Sequence, residues 1–163
     1  IMNNTVKTLE AKMNLLKALL VGASITLLAA CSTTSSDYNE ATNASQSQID
    51  ELENRVGDRV FFELDSSAIN AEAQETLKKQ AAFMAQNSDL KFVVEGHCDE
   101  RGTREYNLAL GERRANAVKQ HLISLGVDAS RLSTVSFGKE RPAVVGTNEF
   151  AWSQNRRGVT AAK

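Results

Sequence analysis

This sequence has few prolines, cysteines and aromatic residues, and its positive and negative charges nearly balance. Its 163 residues include one proline, two cysteines and 6% aromatic residues, and the formal net charge is −1. Two cysteines are too few for a scaffold held together by disulfides. The near-neutral charge excludes the strongly basic surface with which proteins bind nucleic acid.

Long hydrophobic runs are also missing, and the one predominantly apolar, uncharged stretch is short. Residues 18–30 carry no charge and follow Lys12 and Lys17. A helix needs about 20 apolar residues to cross a bilayer. A shorter apolar run behind a positive flank is typical of a secretory signal peptide. We therefore predict that residues 1–30 are a signal peptide, with translation starting at Met13.

The predicted signal peptide ends at a cysteine. Residues 28–31 read Leu-Ala-Ala-Cys, which resembles the lipobox of bacterial lipoproteins. The resemblance implies that Cys31 carries lipid and becomes the first mature residue, and that Ser32, in place of an aspartate, directs the protein to the outer membrane. The alternative, a core helix ending in a buried cysteine, fits the charged flank poorly. With Cys31 lipidated, Cys98 has no disulfide partner, and it is either a packing residue or an exposed, oxidisable thiol.

Residues 31–56 are predicted to be a flexible tether. From Ser32 to Ser47 the sequence is rich in Ser, Thr, Asn, Gln and Ala, and such a segment buries too little to offset its conformational entropy. Ile49, Leu52 and Val56 recur at helical spacing. Two interpretations stay open for that stretch: a short amphipathic helix that closes the tether, or more linker.

Residues 57–163 are predicted to form one domain. Apolar and β-branched runs predict strands at residues 59–62, 91–95, 132–137 and from about 156 onward. Helical spacing predicts one helix capped by Asn70 and a long second helix that ends at Gly126. Alternating strands and helices predict a two-layer α/β sandwich, with the helices on one face of a small mixed β-sheet.

The chemistry-bearing residues cluster after the second predicted strand. Residues 95–103 read Glu-Gly-His-Cys-Asp-Glu-Arg-Gly-Thr, and residues 111–115, on the helix that follows, read Gly-Glu-Arg-Arg-Ala. If this helix packs back over the strand, Asp99 and one arginine can face the same cleft. A carboxylate pairs with an ammonium group, and a guanidinium offers a carboxylate two parallel hydrogen bonds. Such a cleft suits a zwitterion.

These motifs resemble those of the OmpA C-terminal domain family. The match runs from about residue 60 to residue 157. It is carried by residues 62–65 (Phe-Glu-Leu-Asp), 95–103, 111–118, 136–143 (Ser-Phe-Gly-Lys-Glu-Arg-Pro-Ala) and 155–157 (Asn-Arg-Arg). The lipobox and the tether indicate the lipoprotein branch that associates with peptidoglycan, because other members carry a transmembrane helix or a barrel. After residue 157 the family continues with an apolar strand that ends near an aromatic residue, whereas residues 158–163 read Gly-Val-Thr-Ala-Ala-Lys, which predicts a weak closing strand.

The resemblance implies non-covalent binding of peptidoglycan through diaminopimelate, the stem-peptide residue whose free end is a zwitterion. It assigns the ligand's ammonium to Asp99 and its carboxylate to Arg114. The other site residues that it implies are Leu64 and Asp65 on the opposite wall and Thr103, Asn107, Leu108 and Arg113 as supporting residues. It also implies partners in the Tol system, TolB above all and TolA, a role in outer-membrane invagination at cell division, and no cofactor.

Four other interpretations compete with this one. Asp99 and Arg114 could form a purely structural ion pair, and residues 97–100 could hold a metal. An enzyme acting on the cell wall would need a metal triad or an activated nucleophile, and the sequence has no serine elbow and no paired histidine ligands. The last alternative is an OmpA-like lipoprotein of a motor or secretion accessory outside the Tol system.

Overall fold

Four helices and four strands alternate along residues 44–163, the part of the chain that the computed structural model describes. The helices are α1 (Gln46–Glu51), α2 (Ala71–Gln86), α3 (Arg104–Ser124) and α4 (Glu149–Asn155). The strands are β1 (Arg59–Phe61), β2 (Phe92–His97), β3 (Leu132–Gly138) and β4 (Arg157–Ala162). Within these described residues, no helix has the length and apolarity needed to cross a membrane. The signal peptide, Cys31 and the tether up to residue 43 lie outside them.

The strands form one mixed sheet in the order β1-β4-β2-β3. Strands β2 and β3 run parallel, while β4 is antiparallel to both β1 and β2. Along β2, Phe92 and Val94 are fully buried and the residues between them are less so. This period of two is expected of a strand with one face on a core. The predicted two-layer α/β sandwich with a mixed sheet is confirmed.

The helix ends follow the capping chemistry expected from the sequence. The Asn70 side chain accepts a hydrogen bond from the Ala73 N–H at 2.8 Å and begins α2. Thr103 caps α3 through the Tyr106 N–H at 3.2 Å. Gly126 follows α3 with φ at 97°, a left-handed conformation that glycine adopts without a Cβ penalty. Both predicted helices are present, and each begins at a residue whose side chain satisfies the free backbone N–H groups.

The segment for which helix and linker were both open is helical. Helix α1 continues into a π-helical turn, Leu52–Gly57, and Leu52 is only 1% exposed within the core cluster. Burying a leucine side chain contributes about 2 kcal/mol. The predicted domain boundary at residue 57 placed Leu52 in the tether. In the structure, Leu52 packs against the domain core.

The closing strand, predicted to be weak, lies inside the sheet and pairs on both sides. Its backbone pairs with β1 from Arg157 to Val159 and with β2 from Gly158 to Ala162. Thr160 is buried and donates a hydrogen bond to Gln80 Oε1 at 2.8 Å, and Gln80 Nε2 in turn donates to the Gly57 carbonyl at 2.7 Å. The small residues of β4 are therefore held by ladder bonds and a buried polar chain, where a family strand would use apolar bulk.

Helix α3 crosses β2 at a contact between two glycines. A Cβ added to Gly96 would lie 1.8 Å from the Gly111 carbonyl oxygen, and a Cβ added to Gly111 would lie 2.2 Å from Ser136 Oγ. Turning a side chain does not make room at either position: the clash at Gly96 is with backbone, and at Gly111 the Gly96 carbonyl oxygen would still lie 2.9 Å away if Ser136 turned. This contact brings the first half of α3 directly against the end of β2, where Asp99 follows.

We expect Gly96→Ala to destabilise the domain by about 3 kcal/mol, because a methyl group there forces helix and strand apart. Urea unfolding followed by circular dichroism measures the change. Asn116→Ala, on the exposed face of the same helix, is the control and should stay within about 0.5 kcal/mol of the parent. Equal stability of Gly96→Ala and the parent would show that the glycine contact is not needed.

Candidate functional site

A cleft of about 240 Å³ opens at the end of β2, between the loop after β1 and the first turns of α3. Five of the predicted site residues line it: Leu64, Asp65, Asp99, Asn107 and Arg114. The remaining lining residues are Cys98, Arg101, Gly102, Tyr106, Leu110 and Arg156. The charged groups among them are three arginines and two aspartates, so the lining residues carry a formal net charge of +1.

Asp99 is the buried carboxylate of the cleft, with 4% of its surface exposed. Its Oδ1 accepts from the backbone N–H and Nε of Arg101 at 3.0 and 3.1 Å, and its Oδ2 accepts from Nη2 of Arg101 at 2.6 Å. Arg156 Nη1 lies 3.5 Å from the same Oδ2. Burial alone would raise the pKa of Asp99, but the hydrogen bonds from Arg101 outweigh it and the pKa lies below its usual range. Asp99 is therefore ionised at neutral pH.

Arg114 is completely buried, and backbone carbonyls surround its guanidinium. Nε donates to the Ser66 carbonyl at 2.8 Å, Nη1 to that of His97 at 2.8 Å, and Nη2 to that of Glu63 at 3.1 Å. Burial lowers the pKa of Arg114 from its ordinary value. An arginine has five N–H donors, so one N–H on each Nη is not used by these carbonyls, and the Cys98 sulfur is the weak acceptor beside them. Arg114 both fixes the loop after β1 and keeps donors at the floor of the cleft.

The wall opposite Asp99 is formed by the loop after β1. Leu64 is 58% exposed at its rim, and Asp65 has a left-handed backbone with φ at 54°. The Tyr106 hydroxyl donates a hydrogen bond to Asp65 Oδ1, and this bond raises the pKa of Tyr106. The bond joins α3 to the opposite wall across one end of the cleft.

Three predicted site residues lie outside the cleft lining. Thr103 caps α3, as described above. Leu108 is 51% exposed and lines a neighbouring groove of about 480 Å³ that also contains Phe137 and Lys139. The Arg113 guanidinium lies 5.9 Å from the centre of the Tyr106 ring. Thr103 is therefore a helix cap, Leu108 belongs to a separate groove, and Arg113 lies near the Tyr106 ring.

Arg101 and Arg156 are the charged cleft residues that the sequence interpretation did not assign to the site. Arg156 donates to the Phe62 carbonyl at 3.0 Å and to Glu149 at 2.7 Å. The Arg101 guanidinium lies 4.1 Å from the centre of the Trp152 ring. Both belong to motifs that carry the family resemblance, which was the available signal, but their contact with Asp99 depends on the fold.

The ion-pair and metal alternatives can be compared with these contacts. The ion pairs of Asp99 join it to Arg101 and Arg156, and the expected structural pair with Arg114 is not among the ion pairs of residues 44–163. Across that same stretch, no three His, Cys, Asp or Glu side chains gather closely enough to hold a metal ion. Cys98 is buried and contacts the Asn107 carbonyl at 3.3 Å through its thiol, which favours the packing interpretation of this cysteine.

His97 is buried beneath the cleft on the other side of β2. Its ring stacks on Phe137 with centroids 5.4 Å apart, and Nε2 lies 3.2 Å from Glu95 Oε2. Burial is the main cause that lowers the pKa of His97 from 6.5 to about 4, and the positive charges of Arg157 and Arg141 contribute to the same shift. The imidazole is therefore neutral at pH 7.

Comparison with known proteins identifies the family of this chain. The model of the OmpA family matches residues 61–156, which is more than half of the chain. The chain belongs to the OmpA family. Its matched part begins within β1 and ends at Arg156, so it includes every residue that lines the cleft. Since OmpA-like domains are binding modules, the cell-wall enzyme considered above is excluded.

Curated relatives of this OmpA-family chain carry the name peptidoglycan-associated lipoprotein. The protein of Mesorhizobium japonicum is 53% identical over 75% of this chain and 73% of its own length. That of Brucella melitensis is 56% identical over 64% of this chain and 62% of its own length. That of Pasteurella multocida is 45% identical over 90% of this chain and 97% of its own length. At these identities the chain is a member of this lipoprotein branch of the family.

Solved structures show the same OmpA-like fold. The peptidoglycan-associated lipoprotein of Burkholderia pseudomallei is 38% identical, with a TM-score of 0.65 over 68% of this chain and 95% of that one. The C-terminal domain of Helicobacter pylori MotB is 26% identical, with a TM-score of 0.59 over 65% of this chain and 85% of that one. The lipoprotein is thus the nearer of these two in both sequence and shape.

We expect the stability of the domain to fall as the pH drops from about 6.5 to about 4, because His97 takes up its proton more readily in the unfolded chain than in the folded one. The separation between the unfolded and folded pKa values of His97 corresponds to about 3 kcal/mol of unfolding free energy, all of which is lost once the pH is below both values. Urea unfolding at a series of pH values measures it. His97→Phe keeps an aromatic ring on Phe137 and should flatten the curve in this range. A variant curve parallel to that of the parent would exclude His97 as the cause.

Proposed function

We propose that this protein is an outer-membrane lipoprotein that binds peptidoglycan non-covalently and ties the outer membrane to the cell wall. Its ligand is the free end of the diaminopimelate stem peptide, a zwitterion with neighbouring ammonium and carboxylate groups. The relatives whose names state an association with peptidoglycan support the class of ligand. The contents of the cleft support the choice of the ligand group.

The observation that carries the proposal is the placement of Asp99 and Arg114 in one cleft. Asp99 offers a buried, ionised carboxylate to an ammonium group. Arg114 keeps one N–H on each Nη beyond those used by the carbonyls of His97 and Glu63, and it offers these to a carboxylate. The surplus positive charge of the cleft favours a ligand with more than one carboxylate. Leu64 and Asp65 form the facing wall, and Asn107 supports the floor.

Asn107 supports the site through the loop that carries Arg101. Its Nδ2 donates to the carbonyls of Arg101 and Thr103 at 2.7 and 3.0 Å. Thr103 caps the first turn of α3, and Leu108 and Arg113 are exposed in its second and third turns. In this proposal these last three residues act on the ligand indirectly, through the position of α3.

The membrane anchor in this proposal is lipid on Cys31, with residues 31–56 between the lipid and the domain. Helix α1 and the turn after it pack on the core, so residues 46–56 of the predicted tether lie against the domain. The domain then faces the periplasm, where the cell wall lies. At about 0.8 kcal/mol for each buried methylene group, several acyl chains hold such a protein in the membrane.

We expect Asp99→Asn to abolish binding of a diaminopimelate muropeptide, measured by calorimetry with the purified protein. The amide keeps the shape of the carboxylate but removes the charge that pairs with the ammonium, a loss of roughly 2 kcal/mol or more. Asp89→Asn, an exposed aspartate in the turn before β2, is the matched control and should bind like the parent. Circular dichroism checks that all three proteins are folded. Retained affinity in Asp99→Asn would refute the role of this carboxylate, and a folded parent without binding heat would refute the ligand assignment.

The partners in this proposal are proteins of the Tol system, TolB in particular and TolA, which would draw the outer membrane inward at cell division. The competing assignment is a motor or secretion accessory outside that system, in keeping with the fold shared with MotB. We expect TolB to co-purify with this protein from detergent-solubilised envelopes of its host. Co-purification with motor or secretion components and without TolB would favour the competing assignment.

A further inference from the structure

Asp99 has no free acceptor position in the cleft as the structure shows it. An ionised carboxylate offers about four lone-pair positions. Three hydrogen bonds from Arg101 and one longer contact from Arg156 occupy them. An incoming ammonium group therefore has to replace a donor that is already in place.

The two arginines differ in how firmly they are held. The Arg156 side chain is 6% exposed and also bonds the Phe62 carbonyl and Glu149. The Arg101 side chain is 33% exposed, and its guanidinium has Asp99 as its only hydrogen-bond acceptor among residues 44–163. Arg101 is consequently the donor that can leave.

Arg101 also has a place to go. Its guanidinium rests on the Trp152 ring at 4.1 Å, and Trp152 Nε1 donates to Glu100 Oε1 at 3.0 Å. The hydrogen bond with Asp99 is the main cause that raises the pKa of Arg101, and the charges of Glu149 and Glu100 add to it. A guanidinium that leaves Asp99 thus stays over an aromatic ring, within the field of two other carboxylates.

We propose that Arg101 is a displaceable internal cation that occupies the ammonium position on Asp99 until the ligand's ammonium replaces it. The inference rests on the proposed function, since it requires an ammonium-bearing ligand in this cleft. Binding is then an exchange of cations at one carboxylate. Arg101 lowers the affinity and rejects ligands whose cation cannot compete with a guanidinium.

The experiment uses Arg101→Met, which keeps the aliphatic stem over Trp152 but removes the charge and the side-chain donors. Without the competing guanidinium, we expect the muropeptide to bind about fivefold more tightly in calorimetry at pH 7. This factor corresponds to the free energy of one partly exposed ion pair, which the ligand no longer has to break. Arg104→Met is the matched control, because Arg104 pairs with Glu140 at 3.3 Å and not with Asp99. It should bind like the parent.

A second measurement on the unmutated protein does not depend on any variant folding. Trp152 is the only tryptophan of the chain, so its fluorescence reports the change in position of the Arg101 guanidinium on its ring when the bonds to Asp99 are lost. We expect its emission to change on titration with the muropeptide, with a midpoint equal to the calorimetric one, and to change much less in Arg101→Met.

The outcomes separate the inference from the proposed function. Tighter binding by Arg101→Met together with a ligand-dependent change in parental emission supports the exchange. Unchanged or weaker binding by a folded Arg101→Met, or binding by the parent with constant emission, overturns it while the ligand assignment stands. A folded parent that does not bind the muropeptide overturns the ligand assignment, and the exchange falls with it.

Discussion

The close crossing of α3 over β2 at Gly96 and Gly111 is the contact on which the site depends. Interaxial distances between packed elements are normally set by side chains, and here neither element has one at the crossing. The helix can therefore bring Arg114 under the end of β2, where its Nη1 reaches the His97 carbonyl. From there the guanidinium reaches Glu63 and Ser66 on the far wall, so one buried side chain joins three segments that are distant in sequence.

The buried charges of Arg114 and Asp99 are tolerated in this domain because the fold places hydrogen-bond partners around each of them. Arg114 has carbonyl dipoles instead of a counter-ion, which leaves its charge uncompensated and directed at the cleft. Asp99 has two arginines, one firmly anchored and one at the surface. The hydrogen bonds of Asp99 are therefore complete without a ligand, so that the affinity of this carboxylate for an ammonium group is a difference between two sets of similar interactions.

The sequence predicted those parts of the structure that depend on neighbours along the chain. Asn70 and Gly126 mark helix ends because capping is local, and the strand periods follow from burial on one face. The shared cleft of Asp99 and Arg114 followed from family motifs fifteen positions apart. Contacts between distant segments were not predicted: Arg156 meets Asp99 across 57 residues, and backbone carbonyls, which hold Arg114, carry no signal in the sequence. Helix α4 was missed because its seven residues are too few for a clear period, and the pairing of β4 on both sides was not foreseen because ladder bonds do not depend on side-chain size.

The position of β4 in the sheet also determines the order in which the domain can be completed. Strand β1 pairs with β4 alone, and β4 comes after every other element of the described chain. A chain emerging from a ribosome or a translocation pore can form α2, α3 and the parallel pair of β2 and β3 early, yet β1 stays unpaired until Arg157 and the residues after it arrive. Truncation before Arg157 would leave two open strand edges facing a vacant central position, which is a template for pairing with other chains. A domain completed in this order closes its sheet in one late step, when β4 enters between β1 and β2.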